Sequence, residues 1–170
     1  KYVNMTDLNI LPGDAGGFDD TARLRQAIEL LFFAYRDSTS DPDVVLARSG
    51  YGRAHHRVIH FVGANPGINV AQLLAILRIT KQSLGRVLKQ LVDEGYIEQH
   101  PGKLDRRQRL LHLTTAGQEM ERQLSTLQQA RVRRAFAAAG ETAVAGYLNV
   151  LEKMLNEPSR QSILELIKRS

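Results

Sequence analysis

Residues Asn69 to Gly95, NVAQLLAILRITKQSLGRVLKQLVDEG, decide the fold. Asn69 precedes Val70, Leu73, Leu74 and Leu77 at helical spacing, and Gln72 stands three residues after it. A side-chain cap with a return contact from Gln72 therefore opens a short helix. The turn Arg78-Ile79-Thr80 follows. Thr80 suits the cap of a second helix, Lys81 to Glu94, in which Leu84, Val87, Leu88, Leu91 and Val92 recur at i, i+3, i+4, i+7 and i+8 and so face a core. Lys81, Gln82, Ser83, Arg86 and Gln90 are left for the outside. These side chains suit phosphates and base edges, and the open N–H groups at a helix start attract anions as well.

Gly95 ends this helix, and Tyr96 to His100 and Gln108 to Leu113 then alternate as two strands, with Ile97, Leu111 and Leu113 available to one buried side. The expected fold is mainly α with a small β hairpin. The hairpin tip is basic: Pro101 to Arg109 holds four Lys or Arg and one Asp, a local charge of +3. A charged tip can be no more than a solvated turn. A capped helix pair, a polar outer helix face and a basic hairpin in one run favour nucleic acid.

Three runs, Glu94-Gly95-Tyr96-Ile97, Asp105-Arg106-Arg107 and Leu113-Thr114-Thr115-Ala116-Gly117, occur in that order. Together the set resembles the signature of the MarR family of winged helix-turn-helix transcription regulators. In that family the first run closes the recognition helix, the second sits at the tip of the wing, and the third starts the long helix after it. The resemblance extends over nearly everything after Phe18. It implies a winged helix-turn-helix reading lobe plus a helical dimerisation lobe, in which the first and last helices of two copies intertwine. It also implies a reading helix in the major groove of double-stranded DNA, with Gln82, Ser83 and Arg86 toward base edges and Thr80, Lys81 and Lys89 at its phosphate side. Arg107 matches the arginine that such wings insert into the minor groove, and Asp105 its orienting carboxylate. Lys103, Arg106 and Arg109 would add backbone contacts. Relatives of this kind often take a small aromatic or anionic effector between their lobes, for which Tyr35, Tyr51, Arg53 and His55 are the candidates.

Length and composition agree with this reading without requiring it. A chain of 170 residues is large enough for a core and suits one reading lobe and one dimerisation lobe. The net charge of +5 is modest and points to an anionic partner chiefly through its concentration at the hairpin and reading helix. With zero cysteines there is no disulfide, no cysteine zinc site and no thiol-based sensing. No apolar run is long enough to span a membrane, and no signal pattern opens the chain, so a cytoplasmic protein is expected. An enzyme is not: there is no Gly-rich phosphate loop, no H-E-x-x-H pattern and no carboxylate pair that stands apart. The alternative is a winged-helix adaptor that binds a protein partner; basic residues on both helix and wing count against it.

Taken in order, residues 1–18 read as a flexible arm, with Pro12, Gly13, Gly16 and Gly17 and no sustained period. Residues 19–50 hold a dimerisation helix capped by Asp19 or Asp20, with Leu24, Ile28, Leu31, Phe32 and Tyr35 in one stripe, a break over Asp37 to Asp41, and a short helix from Pro42 to Arg48. Residues 51–114 form the reading domain. Its first helix, about Arg53 to Ala64, is expected to turn Ala54, Val58, Phe61 and Val62 inward. His56 and His60 lie one turn apart, but no third ligand is evident, so neither a metal nor a cofactor is expected. Residues 115–170 return to dimerisation helices: Thr115 with Gln118 as a capping box, a long helix to about Ala139, a second from Glu141 to Asn156 with Tyr147, Leu148, Leu151 and Leu155 on one face, and a last short one beyond Pro158.

Overall fold

The computed structural model describes residues 20–102 and 105–169. The expected arm, Asp19 and Lys103 lie outside the described residues. Two units are distinguished, residues 1–36 and 37–170.

Helix α1, Thr21–Ala47, begins where the sequence suggests, with Asp20 Oδ1 accepting from the N–H groups of Ala22 (3.1 Å) and Arg23 (3.2 Å). In the first unit Leu24, Ile28, Leu31, Phe32 and Tyr35 are all exposed, and so are Leu30 and Phe33 on another side of the helix. The Phe32 and Phe33 rings meet edge to face at 5.3 Å, and the Arg36 guanidinium lies 4.8 Å from the centre of the Phe33 ring.

The expected break over Asp37 to Asp41 and the separate helix from Pro42 to Arg48 are not found, since α1 runs through Pro42 to Ala47. Proline lacks the N–H that would bond to the carbonyl four residues back. Here that carbonyl, of Ser38, accepts from Gln128 Nε2 at 3.4 Å, and the Asp41 carboxylate pairs with Arg131 at 2.9 Å. Pro42 is buried. Tertiary partners thus overrule the local signal.

The second unit continues with α2 (Arg53–Ala64), β1 (Ile68–Asn69), α3 (Val70–Leu77), α4 (Lys81–Asp93), β2 (Ile97–Pro101), β3 (Arg109–Leu113), α5 (Thr115–Ala139), α6 (Glu141–Lys153) and α7 (Glu157–Arg169). Its core gathers Leu46, Val58, Ile59, Val62, Leu73, Leu84, Leu91, Ile97, Leu111 and Leu124, where α2 packs against α4, α5 and β3. In α2 the inward face differs from the expected one. Ala54 is exposed and Phe61 half-buried, while His56 and Ile59 join Val58 and Val62 inside. Burial, helped by the nearby charge of His60, lowers the pKa of His56 below its ordinary 6.5. The folded chain therefore takes up this proton less readily than the unfolded one. The stability tied to neutral His56 is complete above pH 6.5 and is lost as the pH falls through the lowered folded value. A melting series from pH 7.5 down to 5 is expected to show this loss, and His56→Gln to make the fall shallower.

The hairpin belongs to a three-stranded antiparallel sheet of order β1-β3-β2, rather than to two strands alone. Ile68 pairs with Leu111 and Asn69 with Leu110, while Ile97 to Pro101 pair with Leu113 to Arg109. A two-residue strand has no periodicity to read, which is why β1 escapes a sequence pattern.

Thr114, not Thr115, caps α5: its Oγ1 accepts from Gly117 N–H at 3.1 Å and donates to Gly95 O at 2.6 Å. With glycine at the third helical position, the expected box with Gln118 has no side chain to return the bond. Helix α6 ends at Lys153, earlier than expected, and Pro158 lies in the first turn of α7, where a missing N–H does no harm. Tyr147, Leu148 and Val150 of α6 are exposed.

Candidate nucleic-acid interface

The short helix and turn form as their capping residues dictate. Gln72 N–H donates to Asn69 Oδ1 at 2.9 Å, and Asn69 N–H donates to Gln72 Oε1 at 3.0 Å. Arg78 then takes a left-handed conformation (φ 49°), which stops α3 and redirects the chain. Thr80 Oγ1 accepts from Ser83 N–H at 3.1 Å and donates to Ser83 Oγ at 2.9 Å, so the two hydroxyls are joined at the start of α4.

Leu84, Leu88 and Leu91 bury one side of α4. On the other, Thr80, Lys81, Gln82, Arg86 and Lys89 are exposed and Ser83 is half-buried. Lys89 Nζ is paired with Asp93 along the helix. Gln90, expected on the outer face, instead bonds to Glu94 and His55. A groove of about 370 Å³ runs from α4 to the hairpin, lined by Lys81, Gly85, Leu88, Lys89 and, from β2, Gln99. Helix and hairpin thus share one surface. A Cβ built on Gly85 would meet nothing within 4 Å. Gly85→Ala is therefore expected to raise stability by about 0.5–1 kcal/mol, measured by denaturant titration.

At the wing tip Asp105 holds the turn. Its Oδ1 accepts from Arg107 N–H at 2.9 Å, its carbonyl from Gln108 N–H at 3.0 Å, and Gln108 O from Gly102 N–H at 3.0 Å. Asp105, Arg106, Arg107 and Arg109 are all exposed.

Of the four residues considered for an effector, Tyr35 belongs to the first unit and the other three to the second. Arg53 pairs with Asp43 at 2.9 Å. Tyr51 and His55 stack ring on ring at 4.6 Å and 6°, and Tyr51 donates its hydroxyl hydrogen to Glu94. Burial and that bond raise the pKa of Tyr51; the same bond, with one from Gln90, lowers that of Glu94. A separate cleft of about 960 Å³, walled by Phe61, Ile68, Ile76, Leu155 and Ile163 with Arg78 at its lining, includes none of the four.

A helix, a tight turn and a second helix with an exposed polar face, followed by a basic hairpin on the same surface, define a winged helix-turn-helix. The MarR family model matches residues 49–108. The HTH-type transcriptional regulator PetP of Rhodobacter capsulatus is 47% identical over 157 residues, which cover 92% of this chain and 95% of that protein. The chain belongs to the MarR family. Solved structures share the fold. Streptococcus pneumoniae FabT in complex with DNA superposes with a TM-score of 0.67 at 23% identity, over 77% of this chain and 94% of that one. A mutant MarR from E. coli complexed with operator DNA gives 0.62 at 22% identity, over 81% and 99%. Among the described residues no helix is long and apolar enough to cross a membrane.

Proposed function

We propose that the protein is a cytoplasmic, sequence-specific regulator of transcription that binds a palindromic operator in double-stranded DNA as a homodimer and acts as a repressor. In this reading α4 enters the major groove, with Gln82, Ser83 and Arg86 at base edges and Thr80, Lys81 and Lys89 beside phosphates. The wing crosses the neighbouring minor groove, where Arg107 inserts, Asp105 holds its turn, and Lys103, Arg106 and Arg109 add charge along the backbone.

The observation that carries the reading is the shared surface of helix and hairpin, where Lys81 and Lys89 of α4 and Gln99 of β2 line one groove. Two structural neighbours were solved with DNA, which agrees with it. The homodimer is supported by α1, whose exposed apolar residues occupy more than one side; a helix with that pattern is stable only when enclosed. Residues 19–50 and 115–170 then build the dimer and residues 51–114 the reading domain. Light scattering is expected to return twice the 19.0 kDa of one chain, and a monomeric mass would contradict the dimer. Gel shift with a promoter-length duplex tests DNA binding; no retardation at low salt would contradict it.

A small aromatic or anionic effector completes the proposal.

A further inference from the structure

We infer that Tyr51, His55, Gln90 and Glu94 form a clamp that sets the roll of the reading helix about its own axis, and with it the discrimination between DNA sequences. The inference rests on the reading of α4 as the DNA-reading helix and assigns these four residues to positioning rather than contact.

Each link in the clamp determines the next. Gly52 N–H donates to His55 Nδ1 at 3.1 Å, so that nitrogen carries no proton and Nε2 carries one. Nε2–H then donates to Gln90 Oε1 at 3.0 Å. This orients the Gln90 amide so that its Nε2 donates to Glu94 Oε1 at 3.0 Å. Tyr51 O–H donates to the other oxygen, Oε2. The Tyr51 ring is itself held between His55, stacked at 4.6 Å, and Tyr96, edge-on at 5.7 Å. Its backbone is tied to the end of α1, since Tyr51 N–H donates to Leu46 O at 2.9 Å and Leu46 is fully buried. The same stretch of α1 is anchored to α5 through Asp41 with Arg131 and Ser38 with Gln128.

The position of Gln90 and Glu94 on α4 gives the clamp its purpose. Gln82, Arg86, Gln90 and Glu94 are spaced by four and form one ridge of the helix. Gln82 and Arg86 are exposed, Gln90 is half-buried and Glu94, the exposed C-cap of α4, is held with Gln90 by the bonds above. A helix of this length turns as a rigid body, so any roll at Gln90 and Glu94 moves Gln82 and Arg86 equally. Leu84, Leu88 and Leu91 keep α4 against the core, but apolar burial is non-directional and tolerates small rotations. Hydrogen bonds are directional. The clamp supplies the orientation that the core leaves loose.

The test uses the full chain and a duplex enriched from a random pool, against a scrambled duplex of equal length and composition. Tyr51→Phe removes only the hydroxyl, and Gln90→Met cuts both middle links while keeping length. Each variant is expected to lose about tenfold in affinity for the selected duplex, to bind the scrambled one within twofold of the wild type, and to melt within a few degrees of it. Because both act through Glu94, the double variant should lose no more than the worse single one. An unchanged ratio between the two duplexes in both variants overturns the inference. Equal losses on both duplexes, or a large drop in melting temperature in both, overturn it too, because they mark a merely structural role. A wild type that prefers no duplex is seen before any variant is made; that result removes the DNA-reading proposal, and the clamp's purpose with it.

Discussion

Arg107→Ala is expected to weaken binding to the preferred duplex by at least about thirtyfold, since each of the two wings of the proposed dimer loses one arginine contact of roughly 1–3 kcal/mol, while leaving the melting temperature unchanged. The stability side of this prediction follows from the structure. Arg107 is exposed at the wing tip, and the turn is held by its backbone N–H, which alanine keeps, donating to Asp105 Oδ1. The binding side follows from electrostatics: a narrow minor groove concentrates negative potential and so attracts a guanidinium. Gel-shift titration at several salt concentrations checks both the loss and its origin. Because the proposed dimer carries two wings, the substitution removes two cations and should make the dependence of log affinity on log salt shallower by about two. Equal affinity and equal slope would show that the wing arginine does not meet DNA.

Gly117→Ala, at the junction between the reading lobe and α5, should be a damaging small substitution. A Cβ at residue 117 would stand 2.1 Å from the carbonyl oxygen of Tyr96 and 3.3 Å from Cβ of Leu113. The oxygen cannot swing aside, because it already accepts from Thr114 N–H at 3.1 Å, and Thr114 in turn caps α5 and bonds to Gly95 O. One added methyl therefore pushes apart the end of the reading helix, the second wing strand and the start of the long helix. The expected cost is about 3 kcal/mol, a fall in melting temperature of roughly 6–12 °C for a chain of this size. Thermal unfolding followed by circular dichroism measures it. A shift under about 2 °C would mean that these three elements do not converge as described.

That junction shows what could be read from residues alone and what could not. The runs around Gly95 and Gly117 were recognisable as motifs, and the leucine spacing in α4 marked its buried side, because short-range caps and helical periodicity are written locally. The caps of Asn69 and Thr80 form as expected for the same reason. Pro42 misled because the hydrogen bond it cannot give to Ser38 O is replaced by one from Gln128, ninety residues from Ser38, and no local rule carries that information. Gln90 misled for the same kind of reason. On a helical wheel it belongs with Gln82 and Arg86, and only the fold brings His55 to it. The cap of α1 falls on Asp20, one of the two residues expected, and that of α5 on Thr114, one residue before the expected Thr115, within the usual uncertainty of helix ends.

The measurement that bears most directly on the central claim is selection of the purified protein on random duplex DNA, with sequencing of the bound pool and salt titration of the best site. The account predicts a palindrome whose half-sites lie about one helical turn apart, bound with an affinity that falls steeply as salt rises. Weak binding with no recovered motif, at any salt concentration, would contradict it.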